Sequence, residues 1–162
     1  MTDDAFTRAR ACADDAGLRV VNVDFARPWG GFLVLDDDQV DTFATAFLPD
    51  YALPAPAARP PMSPKLLVVA PGRQLSWQYH HRRAEVWSVV EGPVGVVASD
   101  NDVQTEPFAL SLGHHIRHAA GTRHRLVGLD HWGIVAEIWE HLDPAHRSDE
   151  DDIVRLQDDF GR

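Results

Sequence analysis

Apolar positions recur with helical spacing in two short stretches near the start of the chain and alternate with polar ones along most of its later part. Phe6, Ala9 and Ala13 give the segment from Asp3 to Ala16 a narrow apolar face, with Thr2 or Asp3 as cap and Gly17 as stop, so a short helix is expected there. Val40, Phe43, Ala44 and Phe47 repeat that spacing between Gln39 and Leu48. The acids Asp36 to Asp38 just before it suit the positive end of a helix better than a metal site. Leu18 to Val23 reads as a strand, and Arg27 to Leu35 as a turn feeding another. Pro49 to Pro64 holds six prolines and no period, which describes an extended connector. Beyond it, Lys65 to Ala70, Val94 to Ser99, Glu106 to Leu112, Arg123 to Leu129 and Gly133 to His141 read as strands, with a hairpin turn at Asp100 to Asp102. So many short, closely spaced strands predict an all-β barrel or sandwich of jelly-roll type, with short flanking helices.

The stretch from Gly72 to Gly92 carries the densest chemistry. Alternation along a strand sends Ser76, Gln78 and His80 to one side and Leu75, Trp77 and Tyr79 to the other. After a polar turn over His81 to Ala84, a second strand starting at Glu85 returns a carboxylate to the same wall. Gln78, His80 and Glu85 therefore read as three ligands of one metal ion. His124, just past a glycine turn at Gly121 and at the head of another strand, offers a fourth. Surface polar residues of a sheet are the competing reading. An amide, two imidazoles and a carboxylate suit zinc, manganese, iron, cobalt or nickel, and affinity alone does not choose among these divalent ions.

A chain of 162 residues fits one domain spanning 1–162, with residues 1–64 as a helical and strand extension. A net charge of −10 with no basic stripe disfavours a phosphate-backbone partner, so no nucleic-acid partner is expected. Neither a signal peptide nor an apolar run of spanning length is visible, so no membrane partner is expected and the cytoplasm is the default. Cys12, the single cysteine, reads as an inert helix residue.

The spacing Gly72, Gln78, His80, Glu85, Gly92, followed by Gly113, Gly121 and His124, resembles the paired motifs of the cupin superfamily. Gln78 stands where that family more often has histidine, Ala119 where it usually has proline, and Gly128 where it often has asparagine. Arg27-Pro-Trp-Gly30, Pro71-Gly72, Leu75 through Trp87, His124-Arg-Leu126, and Glu150-Asp-Asp-Ile-Val-Arg155 with Asp159-Phe-Gly-Arg162 resemble the landmarks of type II mannose-6-phosphate isomerases. In that group the cupin often follows a sugar-nucleotide transferase. No transferase domain is seen here, so no nucleotide chemistry is implied. The family's Glu-Val-Gln becomes Glu137-Ile138-Trp139, which puts an indole where the family has an amide.

This resemblance implies a stand-alone, metal-dependent aldose-ketose isomerase for a sugar phosphate, mannose 6-phosphate and fructose 6-phosphate above all, working through a cis-enediol. The expected partner is a small sugar or sugar phosphate, and a homodimer stays open. Glu137, on a strand otherwise apolar from Ile134 to Ile138, is the first candidate for the base, because burial would raise its pKa. The resemblance further implies that Lys65, the only lysine, and Arg155 face the site as substrate-binding and catalytic cations. Arg27, Arg83 and Arg125 are weaker phosphate candidates, with Arg125 pointing away from His124. The other seven histidines read as surface or packing residues. A short helix is expected from Ser148 to Arg155. Two other functions share these motifs: an oxygen-using cupin dioxygenase and a sugar-binding module without turnover.

Overall fold

Two antiparallel sheets face one another across an apolar interior, and the first of them carries a second apolar layer on its back. The computed structural model describes residues 2–161. In chain order the elements are α1 (Thr2–Asp15), β1 (Val20–Arg27), β2 (Gly30–Leu35), a 3-10 turn (Asp37–Gln39), α2 (Val40–Phe47), a second 3-10 turn (Pro56–Ala58), β3 (Met62–Val69), β4 (Trp77–His80), β5 (Arg83–Glu91), β6 (Val94–Ser99), β7 (Phe108–Leu110), β8 (His115–His118), β9 (Arg123–Val127), β10 (Gly133–His141), a third 3-10 turn (Glu150–Asp152) and β11 (Ile153–Gln157). The first sheet runs β1-β2-β3-β10-β5-β8 and the second β11-β4-β9-β6-β7, a jelly-roll arrangement.

The period-two pattern of β3 and β10 serves both layers. Leu67, Val69 and Val135 turn inward and pack with Trp87, Val89, Val96 and Leu126 between the sheets. Leu66, Val68, Ile134, Ala136 and Ile138 turn outward under Phe6, Ala9 and Ala13 of α1 and Phe43 and Ala44 of α2. Cys12 is half-buried against this outer layer, where burial pushes its thiol pKa up. Asp36 caps the first 3-10 turn by accepting from the Asp38 amide, which is the capping role expected of the acidic run. The side chains of Thr2 and Asp3, the caps expected for α1, lie outside the described residues, as does Arg162.

Five elements differ from the sequence reading, the first being β1, which begins at Val20 and runs on through Arg27, where a turn was expected. The strand expected from Lys65 starts at Met62, because Met62, Ser63 and Pro64 already pair with Glu140, Trp139 and Ile138. Arg83 and Ala84, read as turn, belong to β5 and pair with His141 and Glu140, leaving only His81 and Arg82 to turn the chain. β8 was not expected, since His115 and Arg117 interrupt its apolar pattern; it pairs with β5 across His118 and Glu85. The helix expected over Ser148 to Arg155 is a single 3-10 turn capped by Asp149, followed by a strand. β-branched Ile153 and Val154 satisfy their backbone against the free edge of β4, in register Ile153 to His80 and Arg155 to Gln78. No described helix is long and apolar enough to cross a membrane.

Candidate metal centre and active site

Register brings the chemistry together. On the inner face of the first sheet, Lys65, Glu137 and Trp87 form one cross-strand row, and Trp139, Glu85 and His118 form the next. From the second sheet β4 and β9 bring Gln78 opposite His124, with His80 two residues further along β4. Gly121, with φ of 84°, makes the left-handed turn that aims the chain into β9. Gly128 closes the same strand where an added Cβ would lie 1.9 Å from the Ala70 carbonyl oxygen. That close approach is a physical reason for glycine in place of asparagine.

One donor atom each from His80, Glu85 and His124 lie within 4.8 Å of one another, and all three side chains are buried. His80 Nε2 is 3.1 Å from Glu85 Oε1, and His124 Nε2 is 3.1 Å from Glu85 Oε2. The Thr122 carbonyl, which can only accept, lies 2.9 Å from His124 Nδ1 and so holds a proton there. In the neutral imidazole the Nε2 lone pair then faces a carboxylate oxygen, and neither buried atom has a hydrogen-bond partner. Such a contact needs a positive species, either a proton or a metal ion. Burial is the largest influence on the His124 pKa and lowers it, but the charge and hydrogen bonding of Glu85, the Thr122 carbonyl and Glu137 together outweigh it and the net direction is up. Burial likewise works against the Glu85 charge, while His124, Arg83 and His80 hold its pKa well below the usual range. These residues fit a divalent cation by donor chemistry as well as by proximity.

Gln78 borders the cluster with its amide nitrogen 3.4 Å from His80 Nε2, while its Oε1 accepts from Ser76. Glu137 lies inward and buried. Its two oxygens accept one indole N–H each, from Trp87 and Trp139, both at 2.8 Å. Burial and the Glu85 charge push its pKa up to about 7 against the pull of Lys65 and Arg83. The Lys65 ammonium lies 3.2 Å from the centroid of the Trp139 ring, and burial takes its pKa down to about 8. The Arg83 guanidinium is 3.5 Å from the same ring, so the indole is held between two cations on opposite faces, because two such groups cannot share one face at that distance.

Glu137, Lys65, Trp139, Arg83, Gln78, Glu85, Arg27 and Arg155 all line one cavity. Arg27 is ion-paired with Asp24 at 2.9 Å and Arg155 with Glu150 at 3.8 Å. The buried Nε of each makes no hydrogen bond. Arg125 is outside the cavity, bonded to the Leu75 and Gln157 carbonyls, as its strand alternation implied. His81, His114, His115, His131 and His146 are exposed. His118 and His141 are buried, and burial drives their pKa values down to about 3 and about 4. His118 stacks on His124 with centroids 4.5 Å apart and meets Trp87 edge-on. Its place beside a candidate ligand was missed because β8, which pairs it with Glu85, was missed. Asp152 was also missed as an organiser. Its carboxylate accepts from the His81 and Arg82 amides at 3.0 Å, and from Ser148, pinning the turn between the two ligand-bearing strands.

A jelly roll with an inward His/Glu/His set on strands of both sheets defines a cupin. The fold agrees with solved cupin structures: an oxalate decarboxylase from Bacillus subtilis (TM-score 0.57, 12% identity, covering 83% of this chain and 30% of that one) and the capsular polysaccharide assembling protein CapF from Staphylococcus aureus (TM-score 0.53, 16% identity, 86% and 34%). Residues 61–158 match the family model described as mannose-6-phosphate isomerase C-terminal, and the chain belongs to that family. Over 98 residues it is 37% identical to the alginate biosynthesis protein AlgA of Pseudomonas aeruginosa and 36% identical to the xanthan biosynthesis protein XanB of Xanthomonas campestris pv. campestris strain B100. Each match covers 60% of this chain and 19% of the relative's length.

Proposed function

We propose that the protein is a metal-dependent aldose-ketose isomerase acting on a sugar phosphate, with mannose 6-phosphate and fructose 6-phosphate as the pair to test. The observation that carries this reading is Glu137: a carboxylate oriented by two indole N–H groups, titrating near neutrality, in the cavity that also receives Glu85 and Gln78. His80, Glu85 and His124, with Gln78 at their edge, would hold one divalent ion, zinc, manganese, iron, cobalt or nickel. When bound, that ion supplies electrostatic stabilisation of charge developing on the sugar's C1 and C2 oxygens.

Glu137 takes the proton from C2 of the open-chain aldose, and the C–H electron pair forms the C1–C2 double bond as the carbonyl oxygen at C1 gains a proton. The C1–C2 π pair of the cis-enediol then takes the Glu137 proton at C1, while the O2–H pair becomes the C2 carbonyl bond and the O2 proton leaves to solvent, balancing the one that solvent gave to O1, so that the ketose forms with no net proton consumed. Both indole bonds keep the carboxylate aimed while the proton moves between adjacent carbons. Lys65, beside Glu137 in its cross-strand row, offsets the charge of the enediolate. Arg155, whose Nε–H makes no hydrogen bond, and Arg27, held by Asp24 through its own Nε, take the phosphate.

Incubating the native protein with a divalent ion and mannose 6-phosphate in D2O, followed by NMR, should show fructose 6-phosphate with deuterium at C1. Glu137→Gln should slow this by about 10²- to 10⁴-fold, the usual contribution of a positioned base. No exchange of any sugar phosphate by the native protein would sink the reading.

A further inference from the structure

Arg83 places its guanidinium inside the candidate ligand set. Nε donates to Glu85 Oε1 at 2.9 Å, Nη2 lies 3.2 Å from His80 Nε2, and Nη1 donates to Ser148 Oγ at 3.0 Å. Arg83, Glu85 and His80 are 3%, 2% and 1% exposed, so this is a buried ion pair, which persists only when each charge is compensated. The donor inventories differ in a way that matters. A carboxylate oxygen has two lone pairs and can serve Arg83 and an ion together, whereas an imidazole nitrogen has one. His80 Nε2 is therefore the atom at which Arg83 and a metal exclude each other.

Resting on the metal reading above, we propose that Arg83 is a built-in competitor for the ion: its guanidinium compensates Glu85 and His80 as a fixed cation, and metal binding requires Nη2 to leave His80. The surroundings permit that movement. The guanidinium is a rigid plane, so it moves as a whole: the flat indole of Trp139, 3.5 Å away, offers a face along which it turns about Nε toward the cavity that both residues line, releasing His80 and Ser148 while Nε keeps Glu85. The ion-free protein is thus spared a buried, unpaired carboxylate. Its affinity for metal is correspondingly reduced.

The alternative is a positioning role, in which Arg83 holds Glu85 in place for the ion and so raises affinity. The two roles predict opposite signs. Chelator-stripped full chain would be titrated with Co²⁺ by calorimetry, with the cobalt absorption spectrum as a second readout, for the native protein, Arg83→Met, Arg83→Lys and His124→Ala. Competition predicts that Arg83→Met binds Co²⁺ about ten- to a hundredfold more tightly, the equivalent of one hydrogen bond from a charged donor. It also predicts that the ion-free Tm of Arg83→Met falls while the Co²⁺-loaded Tm approaches the native value. Arg83→Lys keeps a charge yet cannot span Glu85 and His80 together, so it should also bind more tightly than the native protein. It decides the matter if Arg83→Met does not fold. Equal or weaker binding in the Arg83 variants, with binding lost in His124→Ala, would overturn the competitor role and leave the metal centre standing. Undiminished binding in His124→Ala would overturn both.

Discussion

Glu137 carries its charge in a place that resists it, and stability and activity should respond in opposite directions. Its pKa is raised from 4.5 to about 7, so its protonated form favours the fold. That contribution is complete below pH 4.5 and is lost as pH rises to about 7, an effect of about 3 kcal/mol by linkage. Denaturant unfolding of ion-free protein should therefore show a fall in stability between these values that Glu137→Gln lacks. The slopes, not the absolute stabilities, are the comparison, because the amide nitrogen of glutamine cannot accept an indole N–H. Turnover needs the ionised form, so kcat/KM should climb through an apparent pKa near 7 and fall again near 8, where Lys65 loses its proton. A rate profile flat from pH 6 to 9 would remove both groups from the mechanism. Arg155→Ala tests the other end of the cavity. It should leave metal content and folding nearly unchanged and cost on the order of 2 to 4 kcal/mol in transition-state stabilisation. A raised KM with kcat kept would instead assign Arg155 to uniform phosphate binding.

Among the elements, the β4–β5 hairpin and β11 work as a unit. Asp152 satisfies two backbone amides of the two-residue turn, so Asp152→Ala leaves these donors without an acceptor at a cost of about 2 to 4 kcal/mol. Because His80 and Glu85 flank that turn, metal affinity measured by calorimetry should fall along with Tm. A variant with lowered Tm and native affinity would show the hairpin to be held elsewhere. The acidic start before Ile153 looked helical because an acidic first turn is equally the start of a helix and of one 3-10 turn. Only the open edge of β4 makes the following residues extended, and no local pattern reports an edge. The same limit hid β8, whose alternation is masked by His115 and Arg117 on its exposed side. Strands whose two faces both meet apolar layers, such as β3 and β10, were legible from their hydrophobic runs. The candidate ligands were legible because alternation and spacing are local properties. Arg83 was not recognised within the cluster, because its strand assignment depends on pairing with β10 rather than on its neighbours in sequence.

On the scale of the whole molecule, the family match begins at residue 61, yet the outward side chains of β3 and β10 depend on what comes before. Leu66, Val68, Ile134, Ala136 and Ile138 are 0% exposed beneath α1 and α2. Uncovering five such side chains forfeits roughly 7 to 10 kcal/mol at the usual worth of buried apolar groups, comparable with the entire stability of a domain. We propose that residues 1–64 and the barrel form one cooperative unit. A fragment spanning 61–162 should then aggregate or show the collapsed amide dispersion of an unfolded chain by NMR, whereas a well-dispersed spectrum would make the amino-terminal segment an accessory.

The clasp at Asp152 also has a bearing on synthesis. A ribosome delivers Gln78, His80, Glu85 and His124 well before the residue that closes the turn between the first strand of ligands and the second. A nascent or prematurely terminated chain therefore possesses every candidate donor before the turn between His80 and Glu85 is closed. If the set holds an ion, its retention would depend on translation reaching the last strand.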